Sequence, residues 1–293
     1  MGKKRFFDDR LKYLSFIQNT SEKRAISEQL APHIASMEQN RTFLRVLDAG
    51  TGDGTVKSNV IKSFHKYHPY TSLLITGKEI SYEDLKNTLE KMPDRFVEHP
   101  NLLVTMTNVK FAELGHIENS NKVKGKNVKS YTLVLRDDNS FDFHAQINKL
   151  NSFIKKNWGI EIDNKSRTSY ANPCIIRIYR EDHKRYIEPF IDNDYKNNNY
   201  DLIIASQAYR AASEVRTKVN NVIAPLMRLL NKSGKLLVTH SCGGDTVEKI
   251  LKVAWKDKNP FPNKAKDIIE FLKNNPVGEN NKYIYSKLDK FCI

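Results

Sequence analysis

Between residues 43 and 65 the chain passes from an unbroken apolar stretch into three closely spaced glycines and then into a helical pattern. Phe43-Leu44-Arg45-Val46-Leu47-Asp48 reads as a buried strand, Ala49-Gly50-Thr51-Gly52-Asp53-Gly54-Thr55 as a tight turn, and the residues to about His65 as a helix. Glycines in such a turn allow the backbone to pass close to a ligand. The helix behind them offers unpaired N–H groups and the positive end of its dipole. A strand and helix joined in this way belong in a sheet with helices packed on its faces.

The same alternation recurs. Ser72–Thr76 and Leu102–Met106 read as a second and a third strand, with a helix opening near Ser81 between them and Glu83 and Asp84 in its first turn. Tyr200–Ala205 reads as a fourth strand. A long helix through Leu230, a stop at Gly234 and a fifth strand over Lys235–Thr239 complete the pattern. Strands alternating with helices predict an α/β fold with a mostly parallel sheet.

About 80 residues separate the third and fourth strands, far more than an α/β connection needs. They contain a polar stretch from His116 to Lys129, a strand over Tyr131–Leu135, a helix over Phe141–Trp158, a strand over Cys174–Tyr179 and a short helix over Lys184–Ile191. We therefore divide the chain into an N-terminal helical segment (1–42), a core (43–114 and 199–293) and an inserted αβ element (115–198). The N-terminal segment holds an amphipathic helix over 6–18. A second helix, capped by Thr20 or Ser21, runs to about Met37 with Ala25, Ile26, Leu30 and Ile34 on one face. The tail is expected to hold helices near 245–255 and 264–274 and a strand near 282–286.

Composition adds limits. Hydrophobic residues make up 39% of the 293, too many for a disordered chain. No apolar run approaches the roughly 18 residues of a membrane span. The start of the sequence is basic but has no apolar stretch after it, and Phe6 stands where a myristoylation signal needs Ser or Thr. Neither export nor lipidation is expected. Cys174, Cys242 and Cys292 are far apart, which suits a reduced, cytoplasmic protein. The net charge of +14 arises mostly from lysines scattered along the chain, with a cluster at Lys122, Lys124, Lys126 and Lys129. It reads first as a solvated surface and second as a polyanion-binding face. No His, Asp or Glu cluster has metal-ligand spacing; His65 and His68 alone are too few.

The glycine turn has the spacing G-x-G-x-G, not the G-x-G-x-x-G of a dinucleotide site. Asp48 stands just before it. Glu79 ends the second strand, where a carboxylate can accept both hydroxyls of a ribose. Thr107-Asn108-Val109 follows the third strand, where a polar side chain can meet an adenine edge. Together these features resemble the class I S-adenosylmethionine-dependent methyltransferases over residues 43–240, less the insertion. Ser206-Gln207-Ala208-Tyr209 after the fourth strand and the turn Leu230–Leu236 belong to the same resemblance.

The resemblance implies a Rossmann-like seven-stranded sheet and S-adenosyl-L-methionine as cofactor, with S-adenosyl-L-homocysteine as product. Gly50, Thr51, Gly52 and Gly54 would line the methionine part, and Asp48 would order its amino group. Glu79 would hold the ribose, and Thr107, Asn108 and Val109 would meet the adenine. Ser206 would lie beside the sulfonium. Gln207, Tyr209 and His240 would stand at the reacting centre, His240 as a proton acceptor. The N-terminal helices are similar in plan to the lid of the histamine N-methyltransferase type. On that analogy Tyr13 and Phe16 would wall the acceptor site, and Glu22 would pair with a cationic substrate alongside Gln207 and Tyr209. The expected function is methyl transfer to a small molecule, an amine by preference, without a metal, by a monomer or homodimer. RNA or protein as acceptor, supported by the charge, is the alternative. A nicotinamide-dependent dehydrogenase and a non-catalytic cofactor-binding module are further rivals. The Pro-Pro-aromatic pattern of DNA amino-methyltransferases is absent after the fourth strand, and Cys174 is expected to be a small buried residue.

Overall fold

The computed structural model describes residues 21–117, 122–162, 168–190, 199–241, 261–278 and 283–287. The expected helices at 6–18, with Tyr13 and Phe16, and near 245–255 lie outside these. Helix α1 (Glu22–Ala35) leads into β1 (Phe43–Ala49), α2 (Thr55–Tyr67) and β2 (Ser72–Lys78). Helices α3 (Tyr82–Glu90) and α4 (Met92–Glu98) then lead to β3 (Leu102–Thr107). All six residues of β3 are buried, as in a strand covered on both faces.

The long connection follows. A hairpin of β4 (Lys122–Val123) and β5 (Lys126–Asn127) precedes β6 (Lys129–Leu135). Helices α5 (Ser140–Asn148) and α6 (Leu150–Asn157) meet at Lys149, where one helix was expected. A second hairpin, β7 (Ile160–Ile162) with β8 (Thr168–Tyr170), leads to β9 (Cys174–Arg180). The core resumes with β10 (Tyr200–Ala205) and helix α7, which is α-helical at Val215–Lys218 and Ala224–Met227 with a π-helical segment, Val219–Ile223, between them. Strand β11 (Leu230–Val238) and helix α8 (Ala265–Asn274) complete the described chain.

Seven strands form one sheet in the order β11-β10-β1-β2-β3-β9-β6. The first five are parallel; β9 runs antiparallel to β3 and parallel to β6. This is the expected α/β class, a mostly parallel seven-stranded sheet flanked by helices, consistent with a Rossmann-like fold. The inserted segment builds on that same sheet: without β9, the outer edge of β3 would present unpaired N–H and C=O groups. Strand β6 is the final edge, with Lys129, Ser130, Tyr131 and Thr132 exposed.

Two expected features differ. Gly234 does not stop a helix; it lies inside β11 beside a register shift, where Tyr200 O leaves no room for a Cβ. Residues 283–287 form no strand, because Tyr283 and Tyr285 pack on the cluster between α7 and α8 and not on a sheet edge.

Each face of the sheet has its own apolar layer. Ile26, Leu30 and Ile34 of α1, Val60, Ile61 and Phe64 of α2, and Phe143 and Ile147 of α5 share one core with β1, β2, β3 and β9. On the other face Val222 and Leu226 of α7 pack against Leu47, Ala49, Ile203 and Ala205. Among the described residues no helix is long and apolar enough to cross a membrane.

Two polar fasteners hold this frame. Asn108, just past β3, donates from its amide to Asn172 O at 2.9 Å and accepts from Cys174 N–H at 2.8 Å. His99, fully buried before β3, lies 3.0 Å from Thr71 O through Nε2 and 3.4 Å from the Nδ1 of His65. Burial, helped by the neighbouring His65, pushes the His99 imidazole down to about 4.

Replacing Asn108 by Ala leaves the buried Cys174 N–H unpaired, takes one of the donors from Asn172 O, and should cost about 1–3 kcal/mol, read by denaturant unfolding. His99 binds its proton more weakly in the folded chain than in the unfolded one. Its stabilising effect is therefore complete above about pH 6.5 and is lost as pH falls toward 4, with a ceiling of about 3 kcal/mol. Thermal unfolding from pH 7 to 4 should be steeper in pH for the wild type than for His99→Gln. Parallel curves would remove His99 from the account.

Candidate functional site

The carboxyl ends of β1, β2, β3, β10 and β11 meet along one edge of the sheet. Strand β1 lies at its centre, with β2 on one side and β10 on the other. In open α/β sheets the crevice at such a switch point receives ligands.

The glycine turn occupies this point. Gly52 has φ +57°, and no described residue stands within 4 Å of where its Cβ would be, so the turn opens onto free space among the described residues. Gly54, at φ +79°, is pressed against α3: a Cβ would lie 2.7 Å from Thr88 Cα. Thr88 also donates to Gly52 O at 3.1 Å. Thr51 N–H donates to Lys78 O at 3.0 Å, and its hydroxyl lies 3.3 Å from Asp48 O. Ser206 O and Ala208 sit within 4 Å of the place where Gly50 would carry a Cβ, so the segment after β10 closes the opposite side of the turn.

Glu79 joins this turn to the end of β2. One carboxylate oxygen accepts from Gly52 N–H at 2.8 Å; the other accepts from Ile80 and Ser81 N–H, each at 2.8 Å. The carboxylate is thus fixed beside the open space at Gly52, and the oxygen on Gly52 retains an acceptor position.

Below the turn lies a buried pair of opposite charges. Asp48 is 1% exposed, and neither of its carboxylate oxygens has a hydrogen-bond partner. Lys57 of α2 is fully buried, with Nζ 3.4 Å from Met106 Sδ, a weak acceptor. Burial raises the Asp48 carboxyl and lowers the Lys57 ammonium, while each opposes the other's shift. Lys57 escaped the sequence reading, although a signal was present: Lys57, Val60, Ile61 and Phe64 fall at i, i+3, i+4 and i+7, on the inward face of the helix.

The first turn of helix α1 is fastened to the crevice. Lys23 pairs with Asp53 of the glycine turn, and Lys91 reaches Asp53 O at 2.7 Å. Asp53 in turn accepts from Thr55 N–H at 3.1 Å and from its hydroxyl at 2.9 Å. Despite its burial, these contacts, led by Lys23, hold the Asp53 carboxyl below its usual range. Neither Lys23 nor Lys91 stood out in the sequence. Glu22 accepts a hydrogen bond from the Gln207 side chain, so two residues expected in the acceptor site do meet. Burial raises the Glu22 carboxyl, against the pull of Lys23. Ser21 makes no side-chain cap; its backbone is not extended, as a capping residue's would be. Tyr13 and Phe16 lie outside the described residues.

Gln207 has φ +51°, a left-handed conformation at the end of β10, and its N–H donates to the Thr239 hydroxyl at 3.0 Å. Two residues on, the Tyr209 hydroxyl is 3.5 Å from His240 Nδ1. His240 Nε2 lies 2.9 Å from Asn263 O, a carbonyl that can only accept. Nε2 therefore carries the proton, and Nδ1 presents its lone pair to Tyr209. Burial holds the His240 imidazole below its usual value, aided by Lys218 and opposed by the Asn263 contact; burial also raises the Tyr209 phenol. A neutral base touching a protonated phenol results. Fully buried Lys218 lies over the Tyr209 ring at 5.4 Å and donates to Ala211 O at 2.6 Å.

The end of β3 is used differently from the expectation. The Asn108 amide is occupied by Asn172 and Cys174, the Thr107 hydroxyl donates to Cys174 O at 2.8 Å, and Val109 belongs to the apolar core. These side chains join β3 to β9 and leave backbone at this end of the crevice. Cys174 is fully buried, and burial pushes its thiol up to about 12, which suits a structural role.

The lysine cluster is tied down by ion pairs. Lys124 binds the buried carboxylate of Glu113 at 2.7 Å, and Tyr170 donates to the same group at 2.9 Å. Lys126 reaches Glu161 at 2.8 Å and Ala171 O at 3.0 Å.

A scan of the chain against known protein families matches none of their models, and no curated protein matches it in sequence.

Proposed function

We propose that this chain is an S-adenosylmethionine-dependent methyltransferase acting on a small molecule, with an amine as the favoured acceptor. The observation that carries the reading is Glu79: a fixed carboxylate at the end of β2, bonded to the N–H of a glycine that faces open space. The orphaned oxygens of Asp48 support it further. A buried carboxylate without a partner is costly, and the α-ammonium of the cofactor's methionine part is a suitable partner. Thus Glu79 would accept from a ribose hydroxyl through the oxygen on Gly52 and Asp48 would bind the ammonium, with Gly50, Thr51 and Gly52 leaving room between them. Thr107, Asn108 and Val109 would contribute their backbone, not their side chains, to the adenine end.

S-adenosylmethionine supplies an electrophilic methyl carbon and its own leaving group. What remains for the chain is alignment, exclusion of water and the handling of one proton. The Glu22–Gln207 contact places an acceptor of hydrogen bonds where a cationic or N–H-bearing substrate would enter. Ser206 and Gln207 would hold the acceptor, and Tyr209 would take its proton while passing its own to His240 Nδ1. The Asn263 carbonyl fixes the histidine tautomer that this transfer needs.

The lysine ion pairs draw two of the four cluster residues away from a polyanion, so the small-molecule reading stands ahead of RNA. A labelled-methyl screen over small amines, phenols, tRNA and protein extracts tests the choice.

Glu79→Ala should weaken S-adenosylhomocysteine binding at least tenfold, about 1.4 kcal/mol or more, by calorimetry, with NAD bound by neither form. Unchanged affinity would refute the ribose assignment. His240 should leave an acid limb in the pH–rate profile below about pH 6.5, activity rising as the imidazole loses its proton. His240→Gln should lower kcat and remove that limb. Tyr209→Phe should lower kcat while leaving cofactor affinity within about twofold.

A further inference from the structure

The Asp48–Lys57 pair is a charged arrangement that the proposed methyl transfer does not itself require. Both groups are buried, yet they form no ion pair within hydrogen-bonding range, and Asp48 has both oxygens unmatched. Lys57 Nζ crowds Gly77: a Cβ there would stand 2.6 Å from it, 2.7 Å from Thr51 Oγ1 and 2.7 Å from Met106 Sδ, so only glycine fits. Gly77 is register partner to Asp48 on one side and to Met106 on the other, which brings Lys57, Thr51 and Asp48 to the same level of the sheet, beneath the glycine turn.

The charged groups that act on Asp48 are Lys57, Glu79 and Lys23. Lys23 is paired with Asp53, and Glu79 accepts three backbone hydrogen bonds. Among the described cations that act on Asp48, Lys57 is the one without a salt-bridge partner, and the Thr51 hydroxyl also favours the Asp48 carboxylate; Asp48 is the charged group that acts on Lys57. A buried, water-excluded carboxylate holds one cation comfortably and two poorly.

Resting on the cofactor reading above, we infer that Lys57 is a proton-linked placeholder: the α-ammonium of the S-adenosyl ligand takes over Asp48, and Lys57 gives up its proton to solvent. The Lys57 N–H bond breaks, the ammonium becomes a neutral amine, and the proton is taken up by buffer. Charge balances, since one cation arrives beside Asp48 and one positive charge leaves Lys57. The direction of the Lys57 shift agrees, because burial has already moved this ammonium toward neutrality. By linkage, ligand affinity rises with pH over the range in which the proton is released, up to about tenfold per pH unit for one proton.

Two measurements on the full chain with S-adenosylhomocysteine test this. Calorimetry at pH 7.5 in buffers of different ionisation enthalpy should count about half a proton or more released per ligand bound. Nuclear magnetic resonance of 13Cε-labelled lysines, with Lys57 assigned through Lys57→Met or through the backbone should that variant fail to fold, should show the Lys57 midpoint falling by one pH unit or more on binding. Release of a proton together with that fall supports the inference. Binding with an unmoved Lys57 resonance overturns it and leaves the cofactor reading intact. No binding at all overturns both.

Discussion

Strand β1 is where the sheet changes its direction of growth. The chain adds β2 and β3 to one side of it and returns later to add β10 and β11 to the other. Two parallel neighbours leaving in opposite directions open a crevice at the carboxyl end of β1. Everything assigned to the site follows from that opening. The glycine turn fills its floor, Glu79 and Gln207 come from the strands on either side, and the first turn of α1 reaches its rim. A helix N-terminus and a row of strand ends converge there because the fold has no other place to put them.

Fixing this crevice requires polar contacts that cross long stretches of sequence. Asp53 is the clearest case. It caps α2 through Thr55, receives Lys23 from α1, and has Lys91 at its carbonyl from the junction of α3 and α4. Three elements are thereby referred to one residue. Glu79 does the same for β2 and the glycine turn. These are partly buried, charge-assisted contacts, stronger than their surface counterparts. The buried apolar face of α1, Ile26, Leu30 and Ile34, anchors the rest of that helix.

Much of this was legible in the sequence because it depends on local pattern. The apolar runs of β1, β2, β3 and β10, the glycine spacing, and the acidic end of β2 announce themselves within a few residues. The missing parts are non-local. Asn108 looked free to meet a ligand because its partners, Asn172 and Cys174, come from the turn before β9 and from its first residue, and no periodicity discloses the antiparallel pairing of β9 with β3. The lysines at 122–129 looked like an exposed charge run because Glu113 and Glu161 arrive from outside it. Lys57 is the opposite case: the helical spacing already pointed it inward, and only its charge argued against reading it so.

The two outermost strands also bear on how this chain behaves among its copies. Among the described residues strand β6 ends the sheet with a short exposed run led by Lys129, and no described strand pairs with its outer edge. An open edge is a template for strand addition by another molecule. A lysine on that edge, within a chain carrying +14 overall, makes the approach of a second identical edge a meeting of like charges. The surplus charge, which suggests a polyanionic partner when taken alone, thus opposes edge-to-edge aggregation.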